Sequence, residues 1–210
     1  MAATFQSLLR RVKSGDLRNA AYLSCYYTYL RLRDLRGGTR TAVSSLAPQG
    51  ISGSRRSTGN FPFHPKLVRR ALAHIPEGDR GSFVDIGCGS GIALLEASRL
   101  RFRTVSGIEL FPEVAELSRR NCRTSSGTPI NVTDGNALDM DLSEYEVAWI
   151  FNPFKENEDY VRLFQKLIQA RWILIAAAPD IVPPGSTLLH SYQHAVFSRF
   201  NFRVFLRNPN

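Results

Sequence analysis

Three short stretches combine residue types that can do chemistry. The first is Phe83-Val84-Asp85-Ile86-Gly87-Cys88-Gly89-Ser90-Gly91, an apolar run ending in an acid and followed by alternating glycines, after which Ile92 to Ala97 reads as helix. Glycine lets the backbone turn sharply and lets a ligand approach it closely. The unfilled N–H groups at the start of the following helix can receive that ligand. Strand, glycine loop and helix in this order form a nucleotide-type cofactor site at the first crossover of an α/β sheet. The spacing departs from the G-x-G-x-x-G of a dinucleotide site, because Ile92 stands where the last glycine would be. Asp85 would repel a pyrophosphate and suits a cofactor carrying an ammonium group. The second stretch, Val105 to Leu110, places Glu109 at a strand end, at the interval where an acid accepts hydrogen bonds from both ribose hydroxyls. The third is Phe151-Asn152-Pro153-Phe154. There the Asn152 amide oxygen and the proline-fixed carbonyl can both accept from an NH₂ group, turning the nitrogen lone pair toward an electrophile. The Phe154 ring offers a face for a planar base or a cationic amine.

The elements that must position these residues alternate. Strands are expected over 82–86, 103–108, 130–133, 147–151 and 172–177, with helices over 66–74, 92–100, 112–121 and 159–169 between or before them. Such alternation implies a parallel sheet covered by helices on both faces, with right-handed crossovers. Two further strands, 186–191 and 201–207, follow the turn at Pro183-Pro184-Gly185 and complete a mostly parallel seven-stranded sheet at its edge. The 210 residues allow one domain plus an extension, so we divide the chain into a basic helical extension and linker, 1–60, and a cofactor domain, 61–210. Within the extension, helices are expected over 3–13 and 17–35. The second has Leu17, Ala20, Ala21, Leu23, Tyr27 and Leu30 as its apolar stripe and ends at Gly37-Gly38, and 39–60 reads as linker or mobile loop.

The glycine loop with its preceding acid resembles motif I of the Rossmann-like, class I S-adenosylmethionine-dependent methyltransferases. Asn152-Pro153-Phe154 resembles their motif IV, as carried by enzymes that methylate amino groups, although nucleic-acid amino methyltransferases more often have two prolines. Val84 to Gly91, Gly107 to Leu110 and Asn152 to Phe154 together look most like small members of the superfamily distantly similar to Dot1-type lysine methyltransferases. The resemblance spans about Phe61 to Arg207. It implies a three-layer α/β sandwich, S-adenosylmethionine as cofactor, and methyl transfer to an acceptor, with an amino nitrogen favoured. It implies that Asp85, Gly87, Cys88, Gly89 and Gly91 hold the methionine part and Glu109 the ribose. Asn136 and Ala137, in Thr133-Asp134-Gly135-Asn136-Ala137, stand at the adenine, with Asn136 where the superfamily often has an acid; Asp134 is the alternative acid. Asn152, Pro153 and Phe154 orient the acceptor, and Asn152 also borders the cofactor. Phe61, Phe63 and His64 fall in the region that borders the acceptor pocket.

Two other readings stay open: a small-molecule O-methyltransferase with His64, His190 or His194 as base, and a non-catalytic methyltransferase-like module that binds nucleic acid or protein. No metal site is expected, since no carboxylate or cysteine cluster joins His190 and His194. The net charge of +9 is uneven: residues 1–60 carry ten basic and two acidic side chains, a net of +8, leaving +1 for the rest. Nucleic acid, acidic lipid headgroups or an acidic protein are therefore the expected partners of the extension. Three widely spaced cysteines, Cys25, Cys88 and Cys122, favour a reducing compartment. No apolar run is long enough to cross a membrane. A cytoplasmic location is expected. The Arg-bearing, acid-free first dozen residues also suit an organelle transit peptide.

Overall fold

The computed structural model describes residues 17–42, 63–194 and 201–208. The expected helix at 3–13, most of the expected linker and Phe61 lie outside the described residues. The elements in chain order are α1 (Leu17–Gly37), α2 (Pro65–Leu72), β1 (Ser82–Ile86), α3 (Ile92–Arg99), β2 (Thr104–Glu109), α4 (Pro112–Cys122), β3 (Ile130–Asp134), β4 (Val147–Phe151), α5 (Asn157–Lys166), β5 (Trp172–Ala176), β6 (Ser186–Tyr192) and β7 (Phe202–Arg207). Strand limits agree with the sequence reading to within one or two residues.

The seven strands form one sheet in the order β3-β2-β1-β4-β5-β7-β6. β1 to β5 are parallel, and β7 runs antiparallel to both β5 and β6. The order reverses between β1 and β4, where a ligand crevice forms at the carboxyl ends of an open α/β sheet. β1 and β5 are buried along their whole length, as strands covered by helices on both faces must be. Their side chains alternate between two cores. Phe83, Val105, Trp149 and Leu174 join α1, α2 and α3 on one face, while Val84, Ile108, Ile150 and Ile175 join α5 on the other.

α1 is part of the first core. Ala20, Leu23, Tyr26 and Leu30 are buried, following the helical period. Leu17 and Ala21, expected on that stripe, point to solvent, because the stripe that meets the sheet's helices is one step round the helix. On α2, Val68, Ala71 and Leu72 are buried and Leu67 is half-buried. α1 ends at Gly38, whose φ of 64° is a left-handed cap. Residues 39–42, expected in a linker, are pinned to the buried Asp34 carboxylate. Thr39 and Thr41 donate their hydroxyls to Oδ1, each at 2.6 Å, and the Ala42 N–H donates to Oδ2 at 2.7 Å.

A second buried carboxylate ties three helices together. Glu96 on α3, 1% exposed, accepts from Arg33 of α1 (2.8 Å), Arg69 of α2 (2.8 Å) and Arg99 of its own helix (2.7 Å). The sequence reading treated Glu96 only as a helix former. Removing one member of a buried ion pair costs about 3–5 kcal/mol when the other stays buried. Arg69 and Arg99 can turn to water, so Glu96→Ala is expected to lower stability by about 3 kcal/mol, the low end of that range. It should also loosen α1 first. Chemical denaturation, with limited proteolysis within 17–42, measures both.

Candidate active site

The glycine loop is held by β2 rather than by its own strand. The amides of Gly87 and Cys88 both donate to the Ile108 carbonyl, at 2.8 and 3.0 Å. Gly87, Gly89 and Gly91 all have φ between 54° and 85°, a region in which side chains are strained. At Gly91 a Cβ would also meet Ser118 Oγ at 2.7 Å. Gly91 begins α3 with no side-chain cap, so the first amides of that helix remain to be met by a ligand.

Glu109 ends β2 and is buried. Its Oε2 accepts from the Gly89 amide at 2.9 Å and its Oε1 from the Phe111 amide at 3.1 Å. Each oxygen keeps lone-pair capacity for a ribose hydroxyl. Burial raises its pKa, and the backbone hydrogen bonds partly offset that. Asp85, at the tip of β1, is 2% exposed. Burial first, and the neighbouring Glu109 second, push its carboxyl well above the ordinary range. A bound cation would reverse both effects by favouring the ionised form. Cys88 is buried, and burial likewise raises its thiol pKa strongly. Its contribution is a backbone position in the loop, with Sγ packed 3.6 Å from Ser118 Oγ. A Cβ at Gly107 would strike Leu94 and Cys88, so that glycine lets α3 and the loop sit close on β2.

Asn136 caps the short turn Ala137–Asp139: its Oδ1 accepts from the Leu138 amide at 3.1 Å and its Nδ2 donates to Asp139 at 2.9 Å. Both ends of the amide are thus engaged within the turn, leaving one N–H and one lone pair for a base. Ala137 is buried beneath it. Asp134, the alternative acid, is drawn into an ion pair with Arg119, which lowers its pKa.

Asn152 follows β4 and has φ of 42°, one of three non-glycine residues with positive φ among those described. Such backbone costs on the order of 1–3 kcal/mol and persists where surrounding contacts hold it, although asparagine tolerates it better than most residues. The fully buried Tyr160 on α5 donates its hydroxyl to Asn152 Oδ1 at 3.0 Å. Tyr160 was not picked out from the sequence; its signal is an aromatic on the inner face of the helix that follows the motif. Pro153 lies against Gly87, where a Cβ would meet its ring at 3.2 Å, joining the loop to the motif. Phe154 is a correction. Its ring is 8% exposed and packs edge-on to Tyr160 (centroids 5.3 Å apart) in the second core, so it offers no face to an acceptor. The aromatic wall beside Asn152 is instead Phe151, against which Phe63 packs at 4.9 Å.

His64 is also built into the frame. It caps α2 by accepting the Lys66 amide at Nδ1 (3.2 Å) and stacks on Tyr26 and Tyr29. Burial, with the Lys66 charge second, lowers its pKa to about 4, too low for an effective general base near neutrality. His190 stacks with His74, and His194 meets Tyr22 edge-on. Among the described residues no group of three or more His, Cys, Asp or Glu can hold a metal ion, and no helix is long and apolar enough to cross a membrane.

The chain is similar to several known proteins. Residues 83–170 match the family model described as a methyltransferase domain. The release factor glutamine methyltransferase of Vibrio cholerae is 31% identical over 157 residues, covering 66% of this chain and 54% of that protein. A ribosomal protein L11 methyltransferase of Clostridium botulinum is 34% identical over 75 residues, 36% of this chain and 24% of that one. The chain thus spans about a quarter to a half of the length of the curated relatives it matches. Among solved structures, an RNA methyltransferase from Salinibacter ruber, bound to S-adenosyl-L-homocysteine, superposes with a TM-score of 0.55. It is 18% identical and covers 71% of this chain and 96% of that one. Residues 83–170 are thus similar to a methyltransferase domain, and the fold is the one that the S-adenosylhomocysteine-bound methyltransferase structure also has.

The buried Asp85 gives a pH test. A ligand with an ammonium group needs the carboxylate ionised, so its affinity should rise with pH through the raised pKa, by up to about tenfold per pH unit, then level off. S-adenosylmethionine and S-adenosylhomocysteine should both show this rise in calorimetric titration. Methylthioadenosine, which lacks the ammonium, should not. Asp85→Asn should bind the first two more weakly and with a flat pH dependence.

Proposed function

We propose that the chain binds S-adenosylmethionine across the β1, β2 and β4 tips and transfers its methyl group to an amino or amide nitrogen. The observation that carries this reading is Asn152, a side-chain amide held at positive φ by a buried tyrosine beside the glycine loop. The cofactor supplies a sulfonium-activated methyl. The protein's task is then alignment and exclusion of water more than activation. Asp85 and the loop amides hold the amino-acid part, Glu109 the ribose, and the Asn136–Ala137 turn the adenine. Tyr160 orients Asn152 by a hydrogen bond to its Oδ1, and a side-chain amide oxygen and the Pro153 carbonyl are the acceptor types that suit the two N–H bonds of an NH₂ group. Two such acceptors, one on each side, fix the nitrogen lone pair in one direction. An oxygen acceptor would need a base to take its proton, and His64, stacked, capping α2 and with its pKa lowered, is ill suited to that. The likeness to a release factor glutamine methyltransferase, named for a residue whose side chain ends in an amide, favours the same acceptor type.

Asn152→Ala is expected to abolish transfer while leaving cofactor affinity within about twofold, because the loop and Glu109 are untouched. Tyr160→Phe should keep the fold and lower kcat by about tenfold, the scale of one hydrogen bond to a positioning group, with little change in the KM for cofactor. Labelled methyl donor incubated with protein, nucleic-acid and small-molecule fractions reads out the acceptor. Full activity in Asn152→Ala, or label carried on oxygen, overturns the nitrogen reading.

A further inference from the structure

The outer surfaces of α1, α2 and α3 carry charge of one sign. Among the described residues, the solvent-open charged side chains of these helices are Arg31, Arg36, Lys66, Arg69, Arg70 and Arg99. The two acids on the helices, Asp34 and Glu96, are buried and already engaged. Around Glu96 three guanidinium groups meet one carboxylate, and the Arg33 Nη1 atom is enclosed without a hydrogen-bond partner. The cluster therefore keeps two positive charges in excess, and Lys66 and Arg70 add two more close by.

These cations are interleaved with flat rings. Lys66 Nζ stands 5.5 Å from the centre of the Tyr29 ring, which stacks on His64 at 5.3 Å and 13°. The Arg70 guanidinium stands 4.6 Å over Tyr192, which stacks on Phe202 at 5.2 Å and 21°. Phosphates want forked cations, and unpaired bases want rings and guanidinium planes. A surface for acidic protein needs the first alone, and one for anionic lipid needs cations flanking a row of inserted apolar side chains. The mixture here suits a single-stranded nucleic acid. The face also begins next to the acceptor groups: Phe63, adjacent to His64, packs on Phe151, the residue before Asn152.

We propose that the α1–α2–α3 face docks the phosphodiester backbone of a single-stranded nucleic acid and leads it past Asn152. Docking stands apart from transfer; only the step in which a base presents its amino group to Asn152 rests on the transferase reading.

The test uses the full chain and labelled mixed-sequence RNA and DNA strands of about 20 nucleotides, followed by anisotropy between about 50 and 200 mM salt. Polyglutamate and vesicles of phosphatidylserine and phosphatidylcholine serve as the competing polyanions. Lys66→Glu/Arg70→Glu is expected to weaken strand binding at least tenfold. It should also make the log-affinity against log-salt slope shallower by about 1.4, from about 0.7 for each of two lost phosphate contacts. Melting temperature and S-adenosylmethionine affinity should match the unaltered chain; if the melt shifts, Lys66→Gln/Arg70→Gln is compared instead. Equal strand affinity in the folded variant overturns the proposal, as does a preference of the unaltered chain for polyglutamate or vesicles. A chain that binds the strand but not the cofactor keeps the docking face and overturns the transferase reading.

Discussion

The arrangement at the crevice depends on where one carboxylate stands. Glu109 joins the glycine loop to the end of β2 by accepting the Gly89 amide, while its other oxygen holds Phe111 at the start of α4. The loop is a row of left-handed residues with few internal restraints of its own. Without an external acceptor its amides would have many ways to point. With Ile108 taking the Gly87 and Cys88 amides and Glu109 taking the next, three successive N–H groups are committed to β2. The loop is left turned outward by default, and the acid that can meet the ribose is the acid that shapes the loop. A neutral side chain of the same length would accept fewer and weaker bonds from the backbone, so the demands of binding and folding fall on the same charge.

The same economy explains why the N-terminal helix is not a detached arm over its described length. Asn121 on α4 donates to the Ser90 carbonyl at 2.9 Å and accepts the Arg40 amide at 2.7 Å. Ser90, in the loop, donates to the Thr41 carbonyl at 3.4 Å. Asp34 holds Thr39, Thr41 and Ala42 in place for this contact, and Glu96 anchors α1 one residue earlier through Arg33. Charge on the extension is therefore spent in two ways. Some of it neutralises buried carboxylates of the fold, and the surplus lies on the surface. Composition alone counts both kinds as one net charge.

Local signals were legible in the sequence, and long-range ones were not. The strands, the sheet edge and the loop were found because short apolar runs bounded by turn residues, and glycine spacing, are properties of neighbours. The tip residues Asp85, Glu109 and Asn152 followed, since a parallel strand delivers its last residue to the crevice. The errors share a cause. Glu96 is a good helix former in any local window, and only partners 63 and 27 residues away, Arg33 and Arg69, turn it into a buried hub. Leu17 and Ala21 fit an apolar stripe by type, but which of two adjacent stripes is buried is decided by the surface the helix meets. Phe154 sits in a motif where an exposed ring is expected, yet with Tyr160 six residues later the buried position wins, because two aromatic rings gain more packed together than one gains in water.

The exchange of roles between Phe154 and Tyr160 bears on how firmly the acceptor groups are held. An asparagine at φ of 42° is near a less costly conformation and would relax unless held from behind. The hold comes from a phenol with no exposure, whose ring is locked edge-on by Phe154 and whose hydroxyl reaches Oδ1 at 3.0 Å. Had Phe154 faced the crevice, Tyr160 would have lost its packing partner, and the amide would be steered by a looser ring. Burying the aromatic gives up a stacking face for the acceptor and gains a fixed direction for two hydrogen-bond acceptors. For a methyl group already activated by its sulfonium, direction is worth more than affinity, since only what is better in the transition state than in the ground state speeds the transfer. On the proposed nitrogen-transfer reading, recognition of the acceptor's bulk would fall to surfaces outside the crevice, and the Phe63–Phe151 wall leading to the rings and cations of α1 and α2 is where such a surface would adjoin the site.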